Sequence, residues 1–206
     1  MVSSGHGFCL QTGYPMLSIC IGHRNRTAHL QACVQSLNVA VKDIGMPVEL
    51  VVSDYCECGC VCTWLPNNVD MPVTTVSLSG PFNTGKARNS AAEKSRGDIL
   101  YFCDVDMVTP QEVIAAGLLA VRSGKALFPR YRRYKSKEHT DWFWGTGHGN
   151  CICSTEHWMQ AGRYIEKETY GGEDTAFANW FDTRGLLVRK KFDGYYHLWH
   201  PSLAKR

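Results

Sequence analysis

Two aspartates, Asp104 and Asp106 in Cys103-Asp104-Val105-Asp106-Met107, directly follow the apolar run Ile99-Leu100-Tyr101-Phe102-Cys103. At i and i+2 past a buried strand they meet on one side of its carboxyl end, where two bare carboxylates need a cation. A hard divalent ion shared between one or two carboxylates and the phosphates of a substrate is the usual solution. The same pair could instead cap a turn ahead of Thr109-Pro110, and spacing alone leaves both readings open. A second acid pair, Glu173-Asp174, follows Tyr170-Gly171-Gly172 and opens a helical pattern. It could do chemistry, or it could only complement the helix dipole and its free N–H groups. Near the C-terminus, Tyr195-Tyr196-His197-Leu198-Trp199-His200-Pro201 sets two imidazoles among aromatics, as packed core histidines or as metal ligands.

Basic groups complete the set. Gly22-His23-Arg24-Asn25-Arg26 follows the first apolar run, and Lys86-Ala87-Arg88-Asn89 lies at the start of a helix. Both could meet phosphate oxygens through charge-assisted, often bidentate, hydrogen bonds, with ordinary surface solvation as the alternative. Together, cations, a metal-binding acid pair and a further acid pair suit a metal-bridged diphosphate substrate.

The elements that must position these groups are legible from periodicity. Leu17–Ile21 reads as a strand, followed by a helix with Leu30, Cys33, Val34 and Leu37 on one face and Thr27 as N-cap. Val48–Ser53, Val73–Leu78 and Ile99–Cys103 are further strands, with a helix over Thr84–Lys94 between the last two. This alternation predicts an α/β fold, an open and mostly parallel sheet flanked by helices, with ligands beyond the carboxyl ends of the strands. In the second half come a helix over Gln111–Arg122, the basic and aromatic segment Arg130–Lys137, the Gly-rich Trp144–Gly149 and a strand Cys151–Cys153. Ser154 then caps a short helix, and a last helix over Glu173–Phe181 is closed by Gly185.

Composition bounds the class. A chain of 206 residues with 44% hydrophobic and 20% charged residues is expected to fold as one domain over residues 1–206. A net charge of +3, from 22 Lys+Arg against 19 Asp+Glu, is too balanced for a surface built to hold nucleic acid, so no nucleic-acid partner is expected. No apolar run approaches the ~18–20 residues that span a bilayer, and no leader pattern is visible, so a cytoplasmic protein with no membrane span is expected. The 10 cysteines are expected to be mostly free thiols. The oligomeric state is not readable.

In order, RNR, ELVVSD, GKARNSAAEKSRGDILYFCDVDM, GHGNCICS, AGRY, YGGEDTAFANW and YYHLWHP resemble the GT-A glycosyltransferases of the inverting family-2 type. The likeness is strongest to the branch related to β-1,4-galactosyltransferases and chondroitin-polymerising enzymes, and it spans Leu17 to Pro201. It implies a GT-A domain with a nucleotide-binding half at about 17–107 and an acceptor-binding, catalytic half at about 108–201. It also implies a nucleotide-sugar donor, most simply UDP-linked, a glycan acceptor, and Mn²⁺ or Mg²⁺ as cofactor. Carried across, Arg24, Arg26, Asp54, Lys86, Arg88 and Asp104 hold the donor, with Asp54 facing the base. Asp106 binds the metal with His197, or His200 as second choice, and an imidazole ligand shifts the expected ion toward Mn²⁺. Asp174 matches the catalytic base, with Glu173 next in line, and Glu173 and Tyr170 match acceptor positions. One base opposite the leaving group implies inversion.

Two departures stand out. Gly22-His23 replaces the usual proline, and Cys56-Glu57-Cys58-Gly59-Cys60-Val61-Cys62 replaces an acidic, serine-rich turn, which loosens the assignment to uridine. The competing function is a non-catalytic, zinc-stabilised binding module built on this cysteine cluster, although on an extended strand its thiols are too spread for one tetrahedral ion. Arg130–Lys137 could line a single-stranded nucleic-acid groove, form a mobile loop over the donor or acceptor, or be a solvated connection. A glycosidase has no need of the basic edge, and a nucleotidyltransferase leaves the GGED helix start without a role.

Overall fold

The computed structural model describes residues 15–56, 59–145, 148–167 and 171–201. Leu17–His23 (β1) has its first five residues buried, which explains its uninterrupted apolar character. Leu17, Ile19 and Ile21 pack on one side with Leu30, Cys33, Val34 and Leu37 of Thr27–Val41 (α1) and with Val113, Ile114 and Leu118 of Gln111–Arg122 (α4). Cys20 faces the other side, among Ala91 and Ala92 of Thr84–Lys94 (α3) and Phe177, Ala178 and Phe181 of Glu173–Asp182 (α6). Alternate side chains of one strand therefore feed two cores, and the domain has three layers. Each fully buried Leu, Ile or Phe adds about 1.5–3 kcal/mol relative to exposure.

Val48–Asp54 (β2), Val73–Ser77 (β3) and Ile99–Asp104 (β4) join β1 in parallel, in the order β3-β2-β1-β4. Their register sets Gly22 beside Asp104 and His23 beside Asp54, so the chemistry-bearing positions share one level of the carboxyl edge. The sheet continues through Cys151–Ser154 (β8), Ala126–Tyr134 (β6), Leu187–His197 (β9) and Met107–Val108 (β5), with Trp142–Trp144 (β7) paired to β6. Here the pairing is mixed: β8 runs antiparallel to β4 and β6, β9 parallel to β6, and β5 antiparallel to β9. The parallel arrangement expected from the sequence holds for the first four strands.

Several local expectations change. The N-cap of α1 is Arg26, and Thr27 is the first helical residue. Ser154 does cap Thr155–Gln160 (α5), its hydroxyl accepting from the His157 N–H at 3.0 Å. Arg130–Tyr134 is not a loop but part of β6, paired with β7 and β9. Within the cysteine cluster, Cys60–Trp64 forms a short helix (α2) rather than a strand, and Cys58 lies outside the described residues. Cys20, Cys33, Cys62, Cys103, Cys151 and Cys153 are free thiols. Among the described residues, no helix is long and apolar enough to cross a membrane.

Candidate functional site

Asp106 sits in the turn between β4 and β5. Antiparallel pairing sets Met107 opposite His197, and the Leu198 N–H donates to the Asp106 carbonyl at 2.7 Å, so β9 delivers the C-terminal histidines to this turn. His197 Nε2 lies 3.3 Å from Asp106 Oδ1, and His200 Nε2 lies 3.3 Å from Oδ2. His200 Nδ1 is 2.8 Å from the Pro201 carbonyl, which can only accept. A carboxylate flanked this closely by two imidazole nitrogens is a setting in which a cation can be held between them. His197 stacks on Tyr131, and burial pushes its imidazole pKa down against the opposing pull of Asp106. Burial alone would raise the Asp106 carboxyl, but His200, His197 and Arg26 hold it below the usual carboxylate range.

The ligand atoms of Asp106, His197 and His200 lie within 4.8 Å of one another, and this is the one such His/Cys/Asp/Glu group among the described residues. A carboxylate with two imidazoles suits a divalent ion of the Mn²⁺ type, so the residues fit the implied metal. Both histidines named from the sequence are brought to Asp106.

Asp104 is held differently. Its Oδ1 accepts from Arg88 Nη2 at 2.8 Å, its N–H donates to Asn150 Oδ1 at 2.8 Å, and Asn150 Nδ2 donates back to Oδ2 at 3.1 Å. Asp104 keeps 35% of its side chain exposed, whereas Arg88 is buried over the Tyr164 ring. Burial opposes the Arg88 charge, yet Asp104 more than offsets it and keeps the guanidinium protonated. Among the described residues Arg88 Nη1 has no hydrogen-bond partner, and it lies 3.8 Å from Glu173 Oε1. A Cβ on Gly149 would stand 2.4 Å from Arg88 Nη2 and 2.8 Å from Asp104 Oδ2, so only glycine fits beside this pair.

At the next strand, Asp54 Oδ1 accepts from His23 Nδ1 at 2.8 Å and from the Cys56 N–H at 2.9 Å. His23 Nε2 accepts the Arg26 N–H at 3.2 Å, which fixes the tautomer that donates to Asp54. Both side chains are buried, and His23 at the usual proline position ties Asp54 to the turn after β1. Arg24 and Lys86 are exposed at this edge. Asn89 of the KARN segment is structural: it donates to the Tyr164 carbonyl and Glu166 Oε1, and accepts from the Tyr164 N–H.

The second acid pair opens α6. Gly171 and Gly172 have φ of 100° and 89°, a left-handed conformation that glycine adopts without strain. Glu173 is buried facing Arg88, while Asp174 is half-buried with Oδ1 accepting only the Thr175 N–H at 2.8 Å among the hydrogen bonds of its side chain in the described residues. Tyr170 lies outside the described residues. Asp104, Asp106 and Asp174 all act on one group: after burial, their charges push the Tyr131 phenol up. Tyr131, a residue not singled out in the sequence, also stacks on the His197 ring at 5.9 Å between centroids. Tyr131, Asn150 and Gly149 are the site residues that sequence reasoning passed over. Asn150 and Gly149 lie within the GHGNC motif, and Tyr131 lies inside the Arg130–Lys137 segment, whose sequence left groove, loop and solvated connection open.

The three-layer α/β arrangement, a mixed sheet flanked by helices, is the GT-A-like fold shared with solved glycosyltransferases. No protein-family model matches the chain. It is 24% identical over 154 residues to chondroitin sulfate N-acetylgalactosaminyltransferase 1 of Homo sapiens, an alignment covering 63% of this chain and 29% of that protein. The chain thus spans less than a third of that relative's length. Among solved structures, S. aureus TarS 1-349 in complex with UDP superposes with a TM-score of 0.68 at 16% identity, covering 90% of this chain and 61% of that one. The mannosyltransferase PcManGT from Pyrobaculum calidifontis, in complex with GDP-Man and Mn²⁺, gives 0.69 at 15% identity, covering 93% and 59%. These likenesses establish the GT-A-like fold that the sequence motifs implied.

Proposed function

We propose that the chain transfers a sugar, with inversion, from a nucleotide-sugar donor, most simply UDP-linked, to a hydroxyl of a glycan acceptor. The observation that carries this is the meeting of Asp106, His197 and His200 beside Asp104 at the carboxyl edge of the parallel strands. The neighbours bound to UDP and to GDP-Man with Mn²⁺ support a nucleotide donor and a metal. Residues 17–107 then form the donor half and 108–201 the acceptor half.

In this proposal Asp106, His197 and His200 hold Mn²⁺, with Mg²⁺ the alternative; when bound, the ion neutralises charge on the departing diphosphate. Arg24, Arg26 and Lys86 line the edge where the phosphates lie. Asp104, presented by Arg88 and Asn150, meets the donor's ribose or sugar. Arg88 acts through Asp104 and Glu173, since its guanidinium is buried between them. Asp54 supports the base site through the turn it shares with His23. Asp174, the less encumbered acid of its pair, takes the proton of the attacking hydroxyl as general base. By the family resemblance, Tyr170 and Glu173 serve the acceptor.

The test is thermal stability of the chain with UDP, GDP, UDP-sugars and GDP-mannose, each with and without Mn²⁺, since a bound ligand stabilises by mass action. The expected outcome is a metal-dependent shift for one nucleotide class. No metal-dependent shift with any nucleotide would refute the proposal.

A further inference from the structure

One cation already touches the proposed metal ligands. Arg26 Nη1 donates to Asp106 Oδ2, the same oxygen that faces His200 Nε2, and Arg26 Nη2 lies 3.5 Å from His200 Nδ1. The guanidinium therefore lies on the oxygen that a divalent ion held by Asp106 and His200 would use. An ion and a guanidinium cannot both take that oxygen without strong like-charge repulsion in a buried setting.

The Arg26 backbone is pinned while its side chain is not. Its N–H is held by His23 Nε2 at 3.2 Å, and its carbonyl accepts the first helical bond, from the Leu30 N–H at 2.9 Å. The side chain is 26% exposed, against 5% for Asp106. A long arginine side chain on a fixed turn can leave Asp106 without moving β1 or α1. It starts from the edge where Gly22 pairs with Asp104, which is where the donor diphosphate lies in the function proposed above.

We propose that Arg26 is a resident cation on Asp106 that a divalent ion displaces, and that the freed guanidinium then grips the donor diphosphate. This rests on the proposed glycosyl transfer and metal site. Metal alone must break the Arg26–Asp106 pair and leaves a guanidinium without an anion; a diphosphate alone must compete with Asp106 for that guanidinium. Bound together, each ligand supplies what the other takes. The exchange makes the two ligands reciprocally cooperative, beyond the direct attraction of metal for phosphate.

The experiment measures Mn²⁺ binding to wild type, Arg26→Met, Arg26→Gln and Arg26→Lys, from the electron paramagnetic resonance signal of free Mn²⁺, first alone and then with UDP. Circular dichroism confirms that each variant is folded. Arg26→Met and Arg26→Gln should bind Mn²⁺ alone about tenfold or more tighter than wild type, because the competitor is gone. At saturating Mn²⁺ they should bind UDP about tenfold or more weaker. Arg26→Lys, which keeps a charge with a single point of contact, should fall between. Unchanged or weaker Mn²⁺ binding in the folded Met and Gln variants overturns the exchange while leaving the metal site standing. No Mn²⁺ binding by wild type or any variant overturns the metal site itself, and the inference with it.

Discussion

The corner around Asp106 and the start of α6 are both built on acidic residues, yet they are held in opposite ways. Asp106 is 5% exposed and contacts Arg26, His197 and His200, all brought to it from elements distant in sequence. Asp174 is half-buried, and its described side-chain hydrogen bond comes from the next residue. The position of the two histidines in the first arrangement is set by long-range strand pairing. The second is local: a helix start after two left-handed glycines aims a carboxylate that remains reachable. Groups that hold a donor gain from pre-organisation, whereas a base must meet an acceptor that arrives afterwards.

The largest effect should come from Asp106→Ala. It removes the carboxylate shared by both histidines and Arg26, and calorimetry should show metal-dependent nucleotide binding lost altogether. Retained affinity with unchanged Mn²⁺ dependence would dissolve the contrast between the two regions. Next, Asp174→Asn keeps size and helix-start preference but removes the proton-accepting charge, so turnover should fall roughly 10²–10⁴-fold while donor binding and folding stay intact. Single-turnover transfer within a few-fold of wild type would reduce Asp174 to a helix-start residue and leave Glu173 as the candidate base.

A smaller effect sharpens how Asp104 is held. Gly149→Ala drives a methyl against the Arg88–Asp104 pair, and donor affinity measured by calorimetry should fall about tenfold to a hundredfold, from a disturbed charged hydrogen bond worth about 1.5–3 kcal/mol. His197→Ala should weaken Mn²⁺ affinity less than Asp106→Ala, as the loss of one ligand of three; if only His200→Ala does so, the two histidines exchange roles. Smallest of all, Asp193→Asn breaks the exposed ion pair with Arg132, whose Asp193 side chain is 85% exposed. Thermal melts should move by no more than the ~0–1 kcal/mol of a surface pair.

The parallel half was legible because each of its signals is local. Ile99–Cys103 is buried on both faces and reads as a continuous apolar run, and the helix over Thr84–Lys94 has the bounds its sequence suggested. Asp104, Asp106, His197 and His200 were nameable because carboxylates and imidazoles after apolar runs are informative by type alone. The edge of β6 was not: Arg130–Tyr134 is polar and aromatic along its length because β7 and β9 cover its edges while its outer side meets water, so no clean alternation marks it. Tyr131 was hidden in it for the same reason.

Residue type and order alone therefore determined the GT-A-like class, the first four strands with their helices, and the inventory of acids, cations and imidazoles. Only the tertiary structure decided which of these meet. Both histidines reach Asp106 because β5 pairs with β9, a contact between segments about ninety residues apart whose register no local pattern encodes. Asp104 and Asp106, two residues apart, acquire different partners and different exposure because the chain turns between them. The guanidinium of Arg26 comes to rest on Asp106 for a related reason: parallel pairing of β1 with β4 brings the turns after both strands to one level of the sheet, and charge attraction in a buried place does the rest.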